Sequence, residues 1–291
     1  MRHRLLVPAT ILALASLATT SALPQSTILP PALTAMADSE RAFAQRATVI
    51  GWKKAFLEYF ADDSLGFDGD KTASLKAQIS QVPDPPAGVQ LLWEPRYGDI
   101  AASGELGWLT GPSTSINPAR NNGAPRYSTY TSVWKRQPDG SFKVFIDVGT
   151  NQPVASPFAP GFVRLPLASH YTGTDTVDAA RTSLRAADTR ANAAMRGNGG
   201  RDLAPVLSPG ARFHRNEVVP VTGDRAIAEW VAQQPAWSAA QTAQAEVAQS
   251  RDLGYSYGTY AAGTQKGWYV RTWARDGAGN WKIALDVLQP Q

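Results

Sequence analysis

The amino-acid sequence predicts an α+β protein of two tandem domains, each with N-terminal helices packed on an antiparallel sheet. The first observation is an internal repeat. Residues 134–148 read WKRQPDGSFKVFIDV and residues 273–287 read WARDGAGNWKIALDV, and the two align without a gap. Trp134/Trp273, Arg136/Arg275, Gly140/Gly279, Lys143/Lys282, Asp147/Asp286 and Val148/Val287 are identical. Upstream, GELGWLTG (104–111) matches RDLGYSYG (251–258). A period this long marks a duplicated domain rather than a solenoid unit. The second observation is order: each half begins with helical periodicity and ends with strands, which sets helices on one face of a meander. The third is length, since 291 residues suit about two domains of roughly 150 residues.

The chain opens on an export signal, residues 1–22. Arg2, His3 and Arg4 precede an apolar run over 5–18, and Thr20-Ser21-Ala22 offers small residues for cleavage. The run is shorter than the roughly 20 residues a spanning helix needs, and no later segment is long and apolar enough. The expected location is periplasmic or secreted. Residues 23–34 are Pro-rich and read as a flexible lead-in. The first domain copy is assigned to 35–152, a Pro-rich linker to 153–173, and the second copy to 174–291. Apolar Phe158, Phe162, Val163, Leu165 and Leu167 predict that the linker packs along a domain surface.

In the first copy Asp38 or Ser39 is positioned to cap a helix, with Glu40 in its first turn where the helix dipole favours an acid. Phe43, Ala47 and Ile50 follow at helical spacing, Gly51 interrupts, and Trp52, Phe56 and Tyr59 resume it. In the second copy Asp175 precedes Val177, Leu184, Ala187, Ala191 and Met195 on one helical face. Residues 225–233 form another short helix, with 74–81 as its partner in the first copy. Strands are predicted over 89–101, 106–111, 127–136 and 142–148, then 253–261, 268–275 and 281–288; residues 246–249 are a poor strand candidate. Gly-containing turns at 138–140 and 276–279 join the last hairpins. In the closing strand Phe142, Val144, Ile146 and Val148 share one face, and Lys143, Phe145 and Asp147 the other.

Composition narrows the chemistry. There is no cysteine, which removes thiol nucleophiles, disulfides and Cys-ligated metal. The net charge of +4 falls by two once Arg2 and Arg4 leave with the signal, too little to argue for nucleic acid. The three histidines, His3, His170 and His214, cannot build a His-rich metal site, and no acidic calcium loop is present. No cofactor is expected.

Three stretches of the first copy, ERAFAQRATVIGWKKAFLEYFADD, WEPRYGDIAASGELGWLTGP and YTSVWKRQPDGSFKVFIDVG, together with DLAPVLSPGARFHRNEVVPVTGDRAIAEWV of the second, resemble the superfamily of nuclear transport factor two, ketosteroid isomerase and SnoaL-like polyketide cyclases. The order of segments looks like an exported bacterial SnoaL-like branch without assigned function. The resemblance implies two cone-like domains, each a curved sheet wrapped on helices with an apolar pocket at the open end. It further implies packing through the outer sheet faces, so that a tandem chain forms an intrachain pseudo-dimer. The loop over 67–71 looks shortened against that pattern. The catalytic sets of the enzymatic relatives cannot be matched residue by residue.

Asp147 and Asp286 are the foremost candidates, because aspartate desolvates badly in a strand and both copies place one at the same point. Either they carry protons in an apolar cone, or they are structural and pair with Lys143 and Lys282. His214 could serve as a base at a pocket mouth, or be an outward strand residue for which Asp68 stands in the first copy. Trp52, Phe56, Tyr59, Trp108, Tyr130, Trp230, Tyr257 and Tyr269 are candidate walls for a flat apolar ligand or plain core. Three functions follow: a non-catalytic module binding a small apolar or amphipathic molecule, a cofactor-independent isomerase, cyclase or lyase using a pocket aspartate, or an interaction module with filled cones.

Overall fold

A computed structural model describes residues 29–159, 161–165, 171–197 and 202–291. The proposed export signal, His3 and His170 lie outside them. The first half runs α1 (Pro31–Ile50), α2 (Trp52–Tyr59), β1 (Phe60–Asp68), β2 (Lys71–Ser74), α3 (Leu75–Gln81), β3 (Gln90–Trp93), β4 (Tyr97–Ile100), β5 (Leu106–Ile116), β6 (Arg126–Arg136) and β7 (Phe142–Gln152). After β8 (Val163–Arg164) the second half runs α4 (Val177–Arg196), β9 (Leu207–His214), β10 (Val221–Thr222), α5 (Asp224–Val231), β11 (Trp237–Val247), β12 (Leu253–Ala262), β13 (Gln265–Arg275) and β14 (Trp281–Pro290).

Two separate sheets result. The first has strand order β2-β1-β7-β6-β5-β4-β8, with β3 also on β5; the second has order β10-β9-β14-β13-β12-β11. Both are antiparallel meanders with one added feature: β1 joins β7, and β9 joins β14, in parallel. In the first copy the joining strand β1 occupies residues 60–68, where the sequence predicts no strand. The linker adds β8 in parallel to β4, and Leu165 is buried beside it.

Several elements differ from expectation for identifiable reasons. Helix α1 begins at Pro31, not at Asp38 or Ser39, and Ser39 Oγ donates to the Ala35 carbonyl inside it. Proline suits the first helical turn because its missing N–H would be unbonded there anyway. Leu33 and Met36 are completely buried, so residues 31–34 of the expected lead-in are the first turn of α1, anchored to the core through Leu33. The strand expected over 89–101 splits into β3 and β4, since Pro95 has no N–H for the ladder. The missed strand β11 (WSAAQTAQAEV) has weak intrinsic preference, but nine of its residues register on β12, and tertiary pairing outweighs propensity. Its small side chains admit α4, which Arg185 Nη2 ties to the Thr242 carbonyl at 3.1 Å.

A bulge overturns the simple alternation read in the last strands. Trp134 pairs with Val144 but Val133 pairs with Ile146, so Phe145 is extra; the same shift leaves Ala284 extra in β14. One inserted residue exchanges the faces beyond it. Phe142 and Val144 therefore join the first domain's helix-side core, whereas Ile146 and Val148 face the other way. Asp147 is thereby turned towards the helices, away from Lys143.

Each domain has its own core between helices and sheet. A third apolar cluster lies between the sheets, where Trp108, Val133, Ile146 and Val148 meet Tyr255, Val270, Leu285 and Val287. The outer sheet faces are thus packed together as an intrachain pseudo-dimer. Polar contacts edge this seam: Trp268 Nε1 donates to the Gly69 carbonyl at 2.8 Å, the Gln249 amide to Glu105 Oε1 at 2.6 Å, and the Glu217 amide to the Asn151 carbonyl at 2.9 Å.

Candidate functional site

In the first domain a cavity of about 150 Å³ opens between α1, α2 and the helix-side face of the sheet. Phe43, Phe56, Leu91 and Trp93 form its apolar walls, and Glu40, Ser113, Tyr130, Ser132 and Asp147 supply polar groups. Glu40 sits on the buried stripe of α1, with Leu33, Met36, Phe43 and Ala47. Its Oε1 accepts from Trp93 Nε1 at 2.6 Å; its Oε2 accepts from Ser132 Oγ at 2.8 Å and Trp134 Nε1 at 2.9 Å. Burial pushes its carboxyl up to about 7, against the opposing pull of these three donors.

Asp147 is partly open to the same cavity. Burial first, and then the nearby Glu40 charge, raise it well above the ordinary aspartate range. Tyr130 completes the group: its hydroxyl is buried without a hydrogen-bond partner. No arginine or lysine lines the cavity.

The second domain uses the same positions differently. The strand alignment sets Tyr269, Arg271, Trp273 and Asp286 where the first has Tyr130, Ser132, Trp134 and Asp147. Arg271 Nε donates to Asp286 Oδ2 at 2.6 Å, and Arg215 Nη2 lies 2.6 Å from Asp286 Oδ1. Arg271 Nη1 also donates to Asp188 Oδ1 at 2.8 Å. Asp188, on the buried face of α4, takes the place of Glu40 and accepts from Tyr269 OH at 2.6 Å and Ser256 Oγ at 2.9 Å. Burial alone would raise Asp286, but the Arg215 and Arg271 charges prevail and hold it below the ordinary range. A separate cavity of about 290 Å³ lies beside this network, lined by Trp230, Trp237, Tyr260, Arg215 and Gln265 among others.

The structure distributes the remaining candidates. Phe56 and Tyr130 line the first cavity, with Trp52 and Tyr59 behind them: the Trp52–Phe56 ring centroids are 5.6 Å apart and the Phe43–Tyr59 centroids 4.8 Å. Trp230 lines the second cavity, Tyr269 is buried in the carboxylate network, and Trp108 and Tyr257 belong to the seam between sheets. His214 is neither at a pocket mouth nor outward. It is fully buried at the seam, with Nδ1 3.2 Å from Thr131 Oγ1, and burial followed by the Arg212 and Arg215 charges keep it well below its ordinary pKa. Continuing the β1–β7 register beyond Leu65 puts Phe67, not Asp68, at its counterpart. The lysines expected to pair with the aspartates do not: Lys143 Nζ donates to the Glu58 carbonyl and Lys282 Nζ to the Pro205 carbonyl.

From the sequence Glu40 reads only as a first-turn acid, whereas it lies in the middle of α1 on its buried face, and Asp188, Arg215 and Arg271 are not singled out as site residues. For the two acids a signal was present, since each occupies a position on a largely apolar helical stripe. Among the described residues no cluster of three metal-ligating side chains forms, and no helix is long and apolar enough to cross a membrane.

No protein-family model and no curated protein matches the chain. Solved structures do resemble parts of it. A ketosteroid isomerase-like protein from Erwinia carotovora atroseptica SCRI1043 is 14% identical over 42% of this chain and 98% of its own, with a TM-score of 0.35. An NTF-2-like protein of unknown function from Silicibacter pomeroyi DSS-3 is 13% identical over 40% of this chain and 100% of its own, with a TM-score of 0.34. A domain of unknown function with a cystatin-like fold from Nostoc punctiforme PCC 73102 is 15% identical over 40% and 80%, with a TM-score of 0.35. The chain is a tandem pair of α+β domains, each a helix-backed antiparallel meander closed by a parallel strand.

Proposed function

We propose that the first domain binds a small, neutral, single-ring organic molecule in its cavity, and that the second serves mainly as its structural partner. One observation carries the reading: Asp147 meets an aromatic-walled cavity with no cation opposing it, while Asp286 is clamped by two arginines. The volume sets the ligand class. About 150 Å³ is the size of an engineered cavity that takes up benzene, whereas drug-sized ligands occupy about 300–1,000 Å³. A protonated Asp147 and the Tyr130 hydroxyl offer hydrogen bonds to a phenol or cyclic ketone. An aromatic carboxylate would bring a charge into a cavity that no cation lines and whose own carboxyls resist ionising.

The test is calorimetric titration of the full chain with p-cresol, cyclohexenone and benzoate from pH 5 to 8. The neutral compounds should bind at least tenfold more tightly than benzoate, and Asp147→Leu should weaken them by a similar factor. Equal binding of all three, or none, rejects the proposal.

The raised carboxyls of Glu40 and Asp147 also favour a second reading, cofactor-independent proton transfer by Asp147 as in an isomerase or lyase. Loss of turnover in Asp147→Asn with ligand binding retained would select it. The leader sequence supports an exported location, which cleavage mapping by N-terminal sequencing of the secreted product would test.

A further inference from the structure

A third cleft, of about 200 Å³, lies at one edge of the seam between the domains. Its walls come from the first domain, the linker and the second domain, through Arg96, Tyr97, Thr110, Thr129, Ser156 and Arg212. Two of these are cations, and no carboxylate lines the cleft.

The arginines are held differently. Arg96 is 7% exposed, and its guanidinium is spent largely on the linker: Nε donates to the Gly161 carbonyl at 2.7 Å, and Nη1 to the carbonyls of Pro157 and Ala159 at 2.7 and 2.6 Å. These neutral acceptors take three of its five N–H hydrogens without cancelling its charge. Arg212 projects from β9 towards the seam, and its Nε is buried without a hydrogen-bond partner. Both guanidinia stand against one ring, with Cζ atoms 4.0 Å (Arg212) and 5.7 Å (Arg96) from the Tyr97 centroid. The ring's electron-rich face compensates only part of two cationic charges. Burial is the main influence lowering the Arg212 pKa; Tyr97 opposes it, and the Arg96 charge adds to it. Like charges converge here with an unused donor and no acid between them, beside the hydroxyls of Ser156 and Thr129.

We propose that this cleft is a binding site for a small oxyanion, a carboxylate or a phosphate, held by the Arg212 guanidinium with Arg96 as the second charge. A guanidinium presents forked donors that match such anions, and burial strengthens the pairing. The bound anion would touch both domains and the linker, so its binding energy would be linked to the integrity of the seam. The site is separate from the Asp147 cavity and does not depend on its reading.

The experiment is isothermal titration of the full chain at pH 7 and constant ionic strength with inorganic phosphate, acetate and chloride. Saturable binding of phosphate or acetate at least tenfold tighter than chloride is expected, and whichever binds more tightly identifies the anion class. Arg212→Gln should weaken that binding at least tenfold, while Asp147→Asn leaves it unchanged. Should Arg212→Gln not fold, Arg212→Lys keeps the charge without the fork and should weaken binding at least threefold. An unmodified chain that shows no preference for oxyanions over chloride, or a folded Arg212 variant that binds as tightly as the unmodified chain, overturns the proposal.

Discussion

At the scale of single residues, the two copies show how one substitution changes the character of a carboxylate. Asp147 and Asp286 occupy equivalent strand positions, yet Ser132 in one copy stands where Arg271 stands in the other. The same Asp→Asn exchange should therefore have opposite weight. Asp286→Asn leaves two buried arginines short of a counter-charge and should cost about 3–5 kcal/mol. Asp147→Asn replaces a carboxyl already inclined to be neutral and should change stability by less than about 1 kcal/mol. Urea unfolding of both variants checks the contrast; similar losses would contradict it. Glu40 adds a pH signature. Its folded pKa of about 7 stands above its ordinary 4.5, so the folded chain holds this proton more tightly than the unfolded one. The associated stability is complete below about pH 4.5 and is lost as pH rises towards 7, by roughly 3 kcal/mol. His214, depressed in the folded state, works in the other direction below its ordinary pKa. The difference in stability between the unmodified chain and Glu40→Gln isolates the Glu40 part: it should fall from pH 4.5 to 7 and then level off.

At the scale of elements, strand irregularities aim the functional side chains. The extra residue at Phe145 turns Asp147 inward, and a second irregularity shapes the rim. Residues 94–96 bulge opposite Gly111, where a Cβ would meet the Glu94 carbonyl oxygen at 1.9 Å. Gly258 faces the corresponding shift in β11, with the Gln241 carbonyl oxygen at 2.1 Å. Both clashes are with backbone, which a rotamer change cannot relieve. Gly111→Ala and Gly258→Ala should each destabilise by about 1–3 kcal/mol or more, read as a lowered thermal midpoint; an unchanged midpoint would show that the bulge can move. The repeat was legible because these glycines and the closing Trp, Lys and Asp recur at fixed spacing. The bulges were not, since Phe145 and Ala284 carry no residue-type signature of an inserted position.

At the scale of the molecule, the apolar seam makes the domains interdependent. Trp108, Val133, Ile146, Tyr255 and Leu285 are nearly inaccessible, and separating the halves would expose them together. The two domains should accordingly unfold in one calorimetric transition. Val133→Glu, which buries an unpaired charge there, should split it into two or lower it sharply. Two independent transitions in the unmodified chain would show that the seam contributes little.

The sequence by itself determined that the chain is a duplicated α+β unit, because repeated apolar spacing and turn glycines are local and survive translation along the chain. It also singled out Asp147 and Asp286 as unusual strand acids. Only the tertiary structure decided that one is an uncompensated carboxyl in a cavity and the other a clamped ion. Their charges are set by partners brought together from distant segments: Glu40 and Tyr130 around Asp147, Arg215 and Arg271 around Asp286. Electrostatic environment depends on distance in space, which residue type and sequence spacing do not encode.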